Sequence, residues 1–485
     1  MVLEKGIKSI WVVLLTVVLS VLPACKKDIK EPSVSGAFYP SNPETLSKMI
    51  DGFLEKANPP SLEGSLVMLF SPHAGYIYSG EVAAYTYKTL KGFKKRLIIL
   101  VGPSHYARFK GASVFMGDYL KTPLGLIEVD KAVSASLIND DADCKYYPEA
   151  YRKEHSLEVQ LPFLQKTLKD FKTVLILIGS PSRESFRFLS KRLSEIMKRR
   201  KDAIIIISTD LSHYHPYSVA NEMDHEVVNA IEHLSIEDLE KLLQSKKGEM
   251  CGSYPALLGL SVARALGATH GKLLRYANSG DTAGRKDSVV GYASIAILKA
   301  PLTEGQKQYL LKLARQTIET YVKTGKTPEP EVKDVRLLAN GATFVTIYKK
   351  GHLLRGCIGN IFPFMPLYKS VIRNAVAAAS RDPRFRPLQP SELEDIEVEV
   401  TVLSPLEQIT DIREIEIGKH GLYIVKDGRS GILLPQVATE FGWNREQFLQ
   451  AVSEKAGLPP DAWKDATLYR FTAEIIKKDN ITLIK

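Results

Sequence analysis

The sequence predicts two domains in series, an α/β domain built on a layered sheet followed by a smaller α+β domain. Three observations carry this expectation. The chain has 485 residues, too many for one ordinary core. Between about residues 36 and 300, short Val/Ile/Leu runs alternate with amphipathic segments, the pattern of strands buried on both faces and separated by helices. At Pro301 that alternation breaks, and strands and helices mix without it from 303 to 485.

The first 25 residues read as an address. Lys5 and Lys8 precede an apolar run from Ile10 to Leu22, interrupted by Thr16 and Ser20. That run is shorter than the ~20 residues a spanning helix needs and suits the apolar region of a secretory signal peptide. Leu22-Pro23-Ala24-Cys25 follows and resembles the bacterial lipobox, which implies lipidation at Cys25. An uncleaved N-terminal anchor is the alternative. Both readings attach the protein to a membrane with its domains outside the cytoplasm, in the periplasm or at the cell surface. Residues 26–35 are polar, contain Pro32 and read as a tether.

In the first domain the strand expectations are Leu66–Phe70, Leu97–Val101, Thr173–Ile178, Ala203–Ser208 and Val289–Leu298, with helices over Ser182–Arg199 and Met223–Leu234. In the second, a helix starts near Thr303, where Glu304 and Gln306 fill the first turn. Thr324–Glu331 is a Pro/Gly loop. Strands are expected at Ala342–Tyr348, Glu397–Leu403 and Gly421–Val425, and helices at Leu367–Ser380 and Arg445–Ala456.

Composition excludes several classes. With 45% hydrophobic and 25% charged residues the bulk of the chain is not disordered. The formal charge of +10 comes from 65 Lys+Arg against 55 Asp+Glu and is spread along the chain. The densest basic runs, Lys94-Lys95-Arg96 and Lys198-Arg199-Arg200-Lys201, lead into apolar strands, so no nucleic-acid partner is expected. Attraction to an anionic membrane is the better use of the surplus. Cys25, Cys144, Cys251 and Cys357 lack the spacing of a disulfide scaffold, and three cysteines beyond Cys25 leave at least one free thiol in a monomer.

The chemistry lies at strand ends, where α/β sheets bind ligands. Leu66–Phe70 runs into Ser71-Pro72-His73, Leu97–Val101 into Gly102-Pro103-Ser104-His105, and Ala203–Ser208 into Thr209-Asp210-Leu211-Ser212-His213. One such histidine is ordinary structure; three at equivalent positions suggest a site. Neutral imidazole is a common ligand of first-row metals. Glu154-His155-Ser156-Leu157-Glu158 adds polar groups, expected on a helix with Leu161 and Phe163, and Cys251-Gly252 offers a thiol beside a flexible residue. His213 can serve as acid/base, with Asp210 fixing its tautomer; His155 is the other acid/base reading.

These segments, with Ser279-Gly280-Asp281 and Val290-Gly291-Tyr292, resemble the Memo family, related to class III extradiol dioxygenases, over residues 34–299. The resemblance implies ligation of one transition metal by His73, His105 and Cys251, with Asp210 and His213 in the same cavity. A thiolate favours Fe(II) or Cu, with Zn also possible. Iron or copper implies an oxidoreductase, zinc a hydrolase, and a metal carrier without turnover or an interaction module remains open. A buried structural thiol is the alternative for Cys251.

In the second domain, Leu354-Arg355-Gly356-Cys357-Ile358-Gly359 is identical to the signature of the AMMECR domain. Asp382-Pro383-Arg384-Phe385 and Leu433-Leu434-Pro435-Gln436 also resemble that domain. Ser453 stands where members often carry cysteine. Arg355 can hold an anion, Gly356 and Gly359 permit close approach, and Cys357 is a candidate nucleophile; a tight turn with a buried cysteine is the alternative. Joint occurrence of the two domains resembles the AmmeMemoRadiSam system, which implies a radical-SAM partner.

Overall fold

The computed structural model describes residues 27–91, 94–409 and 411–478. The expected signal peptide and Cys25 lie outside them. Among the described residues, no helix is long and apolar enough to cross a membrane.

Among the described residues, the first domain is built on a twelve-stranded mixed sheet with helices on both faces. Its centre is four parallel strands in the order Lys172–Ile178, Leu97–Pro103, Ala203–Ser208 and Ser65–Ser71. Val289–Lys299 adds antiparallel to Ser65–Ser71, and His270–Asn278 adds antiparallel to it in turn. Strand alternation divides the apolar residues between two cores. Ile99, Val101, Ile205 and Ile207 face one side, against Leu193, Val227 and Leu260 from three helices. Ile98, Leu100, Ile204 and Ile206 face the other, against Ile50, Tyr87 and Phe163. The expected strands are thus all present and buried on both faces. Each runs up to two residues further than its apolar run, because backbone pairing continues through Ser71 and Pro103.

Residues 26–35 are not a free tether throughout. Ile29 and Lys30 pair in parallel with Tyr119 and Leu120 at the sheet edge. The buried Glu158 carboxylate then accepts from the Ser33 N–H at 2.7 Å, the Val34 N–H at 2.9 Å, the Tyr39 hydroxyl at 2.8 Å and Lys30 Nζ at 3.0 Å. A polar composition concealed this attachment, because the partner is a carboxylate more than a hundred residues away.

Among the described residues, the second domain is built on a seven-stranded antiparallel sheet. Helix Glu304–Thr324 starts at the Thr303/Gln306 capping box and packs with helix Leu367–Ser380 over Val345, Ile347 and Val400. Thr467–Ile476, absent from the expected strands, pairs with Ile396–Leu403, Glu407–Ile409 and His420–Lys426. Its polar residues hid it from a hydrophobicity pattern. The domains meet where the Leu302 N–H donates to Glu474 at 3.3 Å, the Asn340 N–H donates to the His233 carbonyl at 3.4 Å, and Lys299 pairs with Glu407 at 3.7 Å.

Phe163 is fully buried, with its ring 5.0 Å from those of Tyr76 and Tyr87. Phe163→Ala is expected to destabilise the first domain by about 3–5 kcal/mol. Urea unfolding followed by tyrosine fluorescence checks this, and an unchanged midpoint would assign the stack no energetic role.

Candidate metal centre

Register across the parallel strands builds the site. Ser71 stands opposite Ser208, and Ile207 opposite Val101, so the three strands end at one level. Two residues past that level come His73 and Asp210, and three past Gly102 comes His105. A Cβ on Gly102 would lie 2.7 Å from Leu157 and 3.1 Å from Ser156 Oγ, so glycine lets the Glu154–Leu157 segment close over the strand end.

His73 is buried, and its ring is fixed at both nitrogens. Nδ1 lies 2.9 Å from Ser208 Oγ and Nε2 lies 3.2 Å from Cys251 Sγ. Its backbone N–H donates to Asp210 Oδ1 at 2.7 Å. Burial, reinforced by His105, pushes its pKa down to about 3, so the imidazole is neutral and carries a lone pair at neutral pH.

His105 is more open and is held by Glu154. Its N–H donates to Oε2 at 2.6 Å and its Nδ1 lies 2.9 Å from Oε1, which leaves Nε2 for a ligand. Glu154 also accepts from the N–H groups of His155 and Ser156. Burial alone would raise its pKa; the hydrogen bond and charge of His105 and the backbone donors outweigh it and hold it down to about 2.

Cys251 stands just before helix Ser253–Ala265. Its Sγ accepts from the Asp210 N–H at 3.2 Å and lies 3.8 Å from Thr209 Oγ1. A Cβ on Gly252 would lie 2.5 Å from Thr209, so this approach requires glycine. Burial, then the Asp210 charge, raises the thiol pKa. One potential ligand atom each from His73, His105 and Cys251 lies within 4.8 Å of the others, and the same holds for His105, Glu154 and His155. The three residues expected as ligands are therefore together, and their donor set of two imidazoles and a thiol fits a soft or borderline transition metal. The exterior nitrogens are held by Ser208 and Glu154, the usual second layer of a histidine metal site.

The acid/base expectations change. Asp210 does not orient His213; its carboxylate is turned to the His73 N–H, and burial raises its pKa. His213 Nδ1 faces Glu249 at 3.8 Å instead, and His215 shares that carboxylate at 2.9 Å. His213, on the short strand His213–His215, is still near enough for its charge to act on Asp210 and His73. His155 lies in the loop before helix Gln160–Thr167, not on the helix, because Glu154 takes the local N–H groups. Its ring centroid is 4.6 Å from that of His105 and 5.3 Å from that of His73, and its buried Nδ1 makes no hydrogen bond. Burial lowers its pKa to about 4. Sequence reasoning named these segments but missed the holding roles of Ser208 and Glu154 and the part of Glu249. The paired acids in Glu154-His155-Ser156-Leu157-Glu158 were the available signal.

In the second domain the signature serves packing. A Cβ on Gly356 would lie 2.3 Å from the Ala378 carbonyl and one on Gly359 2.2 Å from the Phe344 ring. Arg355 is not free to hold an anion: it donates to both Glu392 oxygens, at 3.0 and 2.9 Å, and to the Arg386 carbonyl at 2.9 Å. Cys357 accepts from Thr346 at 3.3 Å, and burial raises its pKa, so it is a thiol rather than a ready nucleophile. Cys144, Cys251 and Cys357 are all free.

Comparison with known proteins gives these sites a lineage. The family model described as Memo-like protein matches residues 30–296, and the AMMECR1 model matches residues 311–476. A MEMO1 family protein of Aquifex aeolicus is 38% identical over 277 residues, covering 56% of this chain and 99% of the relative. One from Methanosarcina barkeri is 36% identical over 271 residues, covering 56% and 100%. A solved structure of an uncharacterized protein from Pyrococcus horikoshii shows 41% identity, covers 36% of this chain and 92% of that one, and superposes with a TM-score of 0.35. The chain belongs to the Memo family and carries an AMMECR1 domain after its Memo-like domain.

Proposed function

We propose that the protein is a metal-dependent oxidoreductase holding one iron or copper ion on His73, His105 and Cys251. The observation that carries this is the convergence of two imidazoles and one thiol on strand ends, each braced by a separate partner. When bound, iron or copper supplies one-electron chemistry and open positions for oxygen or substrate. Ser208 and Glu154 fix the rings, and the Asp210 N–H steadies the sulfur. His155, neutral and with an Nδ1 that makes no hydrogen bond and lies 3.5 Å from Glu154 Oε1, is the better-placed proton acceptor because its ring stacks on that of His105. The substrate reaches the His105 side, where the exposed Tyr106 has its ring 5.9 Å from that of His155. Attachment to a membrane through Cys25 and cooperation with a radical-SAM protein belong to the same proposal. Both rest on sequence resemblance.

Metal analysis of anaerobically purified protein tests the centre. About one iron or copper per chain is expected, and His73→Ala, His105→Ala and Cys251→Ser are expected to lose it while the fold survives. Glu154→Gln is expected to weaken metal affinity roughly 10–100-fold, because it removes the charged partner of His105. Full occupancy in the ligand variants would refute the assignment, and zinc alone would favour hydrolysis.

The sign of the pH dependence follows from the site. His73 is already neutral at pH 6, but Cys251 enters as a thiol and must lose its proton on binding. Metal affinity is therefore expected to rise with pH, approaching tenfold per unit between pH 6 and 8. Competition titrations with a chelator measure that slope; a flat response would mean that the thiol does not ligate.

The address has its own test. Cys25→Ser is expected to move the protein from the membrane fraction to the soluble one, and unchanged membrane association would point to the uncleaved anchor.

A further inference from the structure

The domain junction encloses a cavity of ≈ 350 Å³ lined by none of the metal-centre residues. Its Lys299 pairs with Ser65, at the amino end of the strand whose carboxyl end leads to His73. The cavity therefore lies roughly 25 Å along the sheet from the metal centre. Thr269 and Lys299 come from the first domain, and Arg336, Asn340 and Ser404 from the second.

Arg336 is the unusual group. Its Nε is buried without a hydrogen-bond partner. Among the described residues its guanidinium makes no ion pair. The nearest acids are committed elsewhere. Glu474 faces Lys307 at 3.0 Å and accepts the Leu302 N–H; Asp334 accepts from Gln306 at 3.0 Å and from the N–H groups of Arg336 and Leu337. Burial presses the Arg336 pKa down to about 10, against the opposing fields of Glu474 and Asp334. Arginine stays charged nonetheless, so a half-buried cation stands without an ion pair among the described residues, an arrangement that costs stability unless an anion completes it. Lys299 is only loosely held, with Glu407 at 3.7 Å and the Leu266 carbonyl at 3.4 Å.

We propose that this cavity binds a small ligand bearing an oxyanion, carboxylate or phosphate, with Arg336 as its main partner and Lys299 as a second cation. A planar guanidinium matches either group through two parallel hydrogen bonds. The volume suits a small molecule, at the lower end of ligand pockets, which favour domain interfaces. Because both domains contribute, the ligand ties them together.

Thermal unfolding of the full-length protein tests this, in chloride, inorganic phosphate and succinate at equal ionic strength. Wild type is expected to gain about 2–4 °C or more, saturably, with at least one oxyanion. A response to phosphate alone assigns a phosphate-bearing ligand, and a response to succinate alone a carboxylate. Arg336→Met is expected to lose the response and, in chloride, to unfold no lower than wild type, since it removes an unpaired charge at similar volume. Lys299→Met, a milder change, is expected to reduce the response without abolishing it. No saturable shift in wild type, or an undiminished shift in both variants, would overturn the proposal.

Discussion

The common level at which three parallel strands end is the constraint on which the site depends. Ser71 opposite Ser208, and Val101 opposite Ile207, leave no freedom in where the following residues emerge. A one-residue slip in a strand would exchange its two faces, putting Ile99 in the core of Ile98. The two cores therefore fix the register, and the register places His73, His105 and Asp210 together. Cys251 reaches the same point from elsewhere in the chain, because Gly252 lets its turn lie against Thr209.

Buried carboxylates finish what the strands begin. Glu154 and Glu158 are both buried, a placement that is costly without donors. Each is surrounded by them. Glu154 accepts from His105, His155 and Ser156, and Glu158 accepts from Ser33, Val34, Tyr39 and Lys30. One pentapeptide segment, Glu154–Glu158, thus aims an imidazole of the candidate metal site with its first acid and anchors the start of the domain with its second. Asp210 follows the same logic through the His73 N–H.

Much of this was legible in the sequence, for physical reasons that also explain the failures. Strands buried on both faces must be apolar throughout, so Leu97–Pro103 and Ala203–Ser208 announce themselves. The residues after such runs emerge at the carboxyl ends of the strands, so their histidines could be read as a set. Illegible features rest on partners distant in sequence. Nothing local pairs Ile29 with Tyr119 or Glu249 with His213. The Asp210/His213 spacing suggested a pair, but spacing does not determine which way a carboxylate turns. The signature around Cys357 left two readings open, a site or a tight turn with a buried cysteine; Gly356 and Gly359 admit Ala378 and Phe344, contacts with partners distant in sequence that the signature could not reveal.

The charge balance explains why a thiol, and not a third carboxylate, completes the donor set. Asp210 and Glu154 already place two acids beside the rings, and both are tied to N–H groups. A third carboxylate would have to stay charged in the same buried region, against the repulsion of both. A thiol avoids that cost. Burial and the Asp210 charge keep it neutral, so it would become an anion only if a cation arrived to offset the charge. The thiol thus adds no charge of its own to a pocket that already holds two carboxylates, and the Asp210 N–H already points at the sulfur.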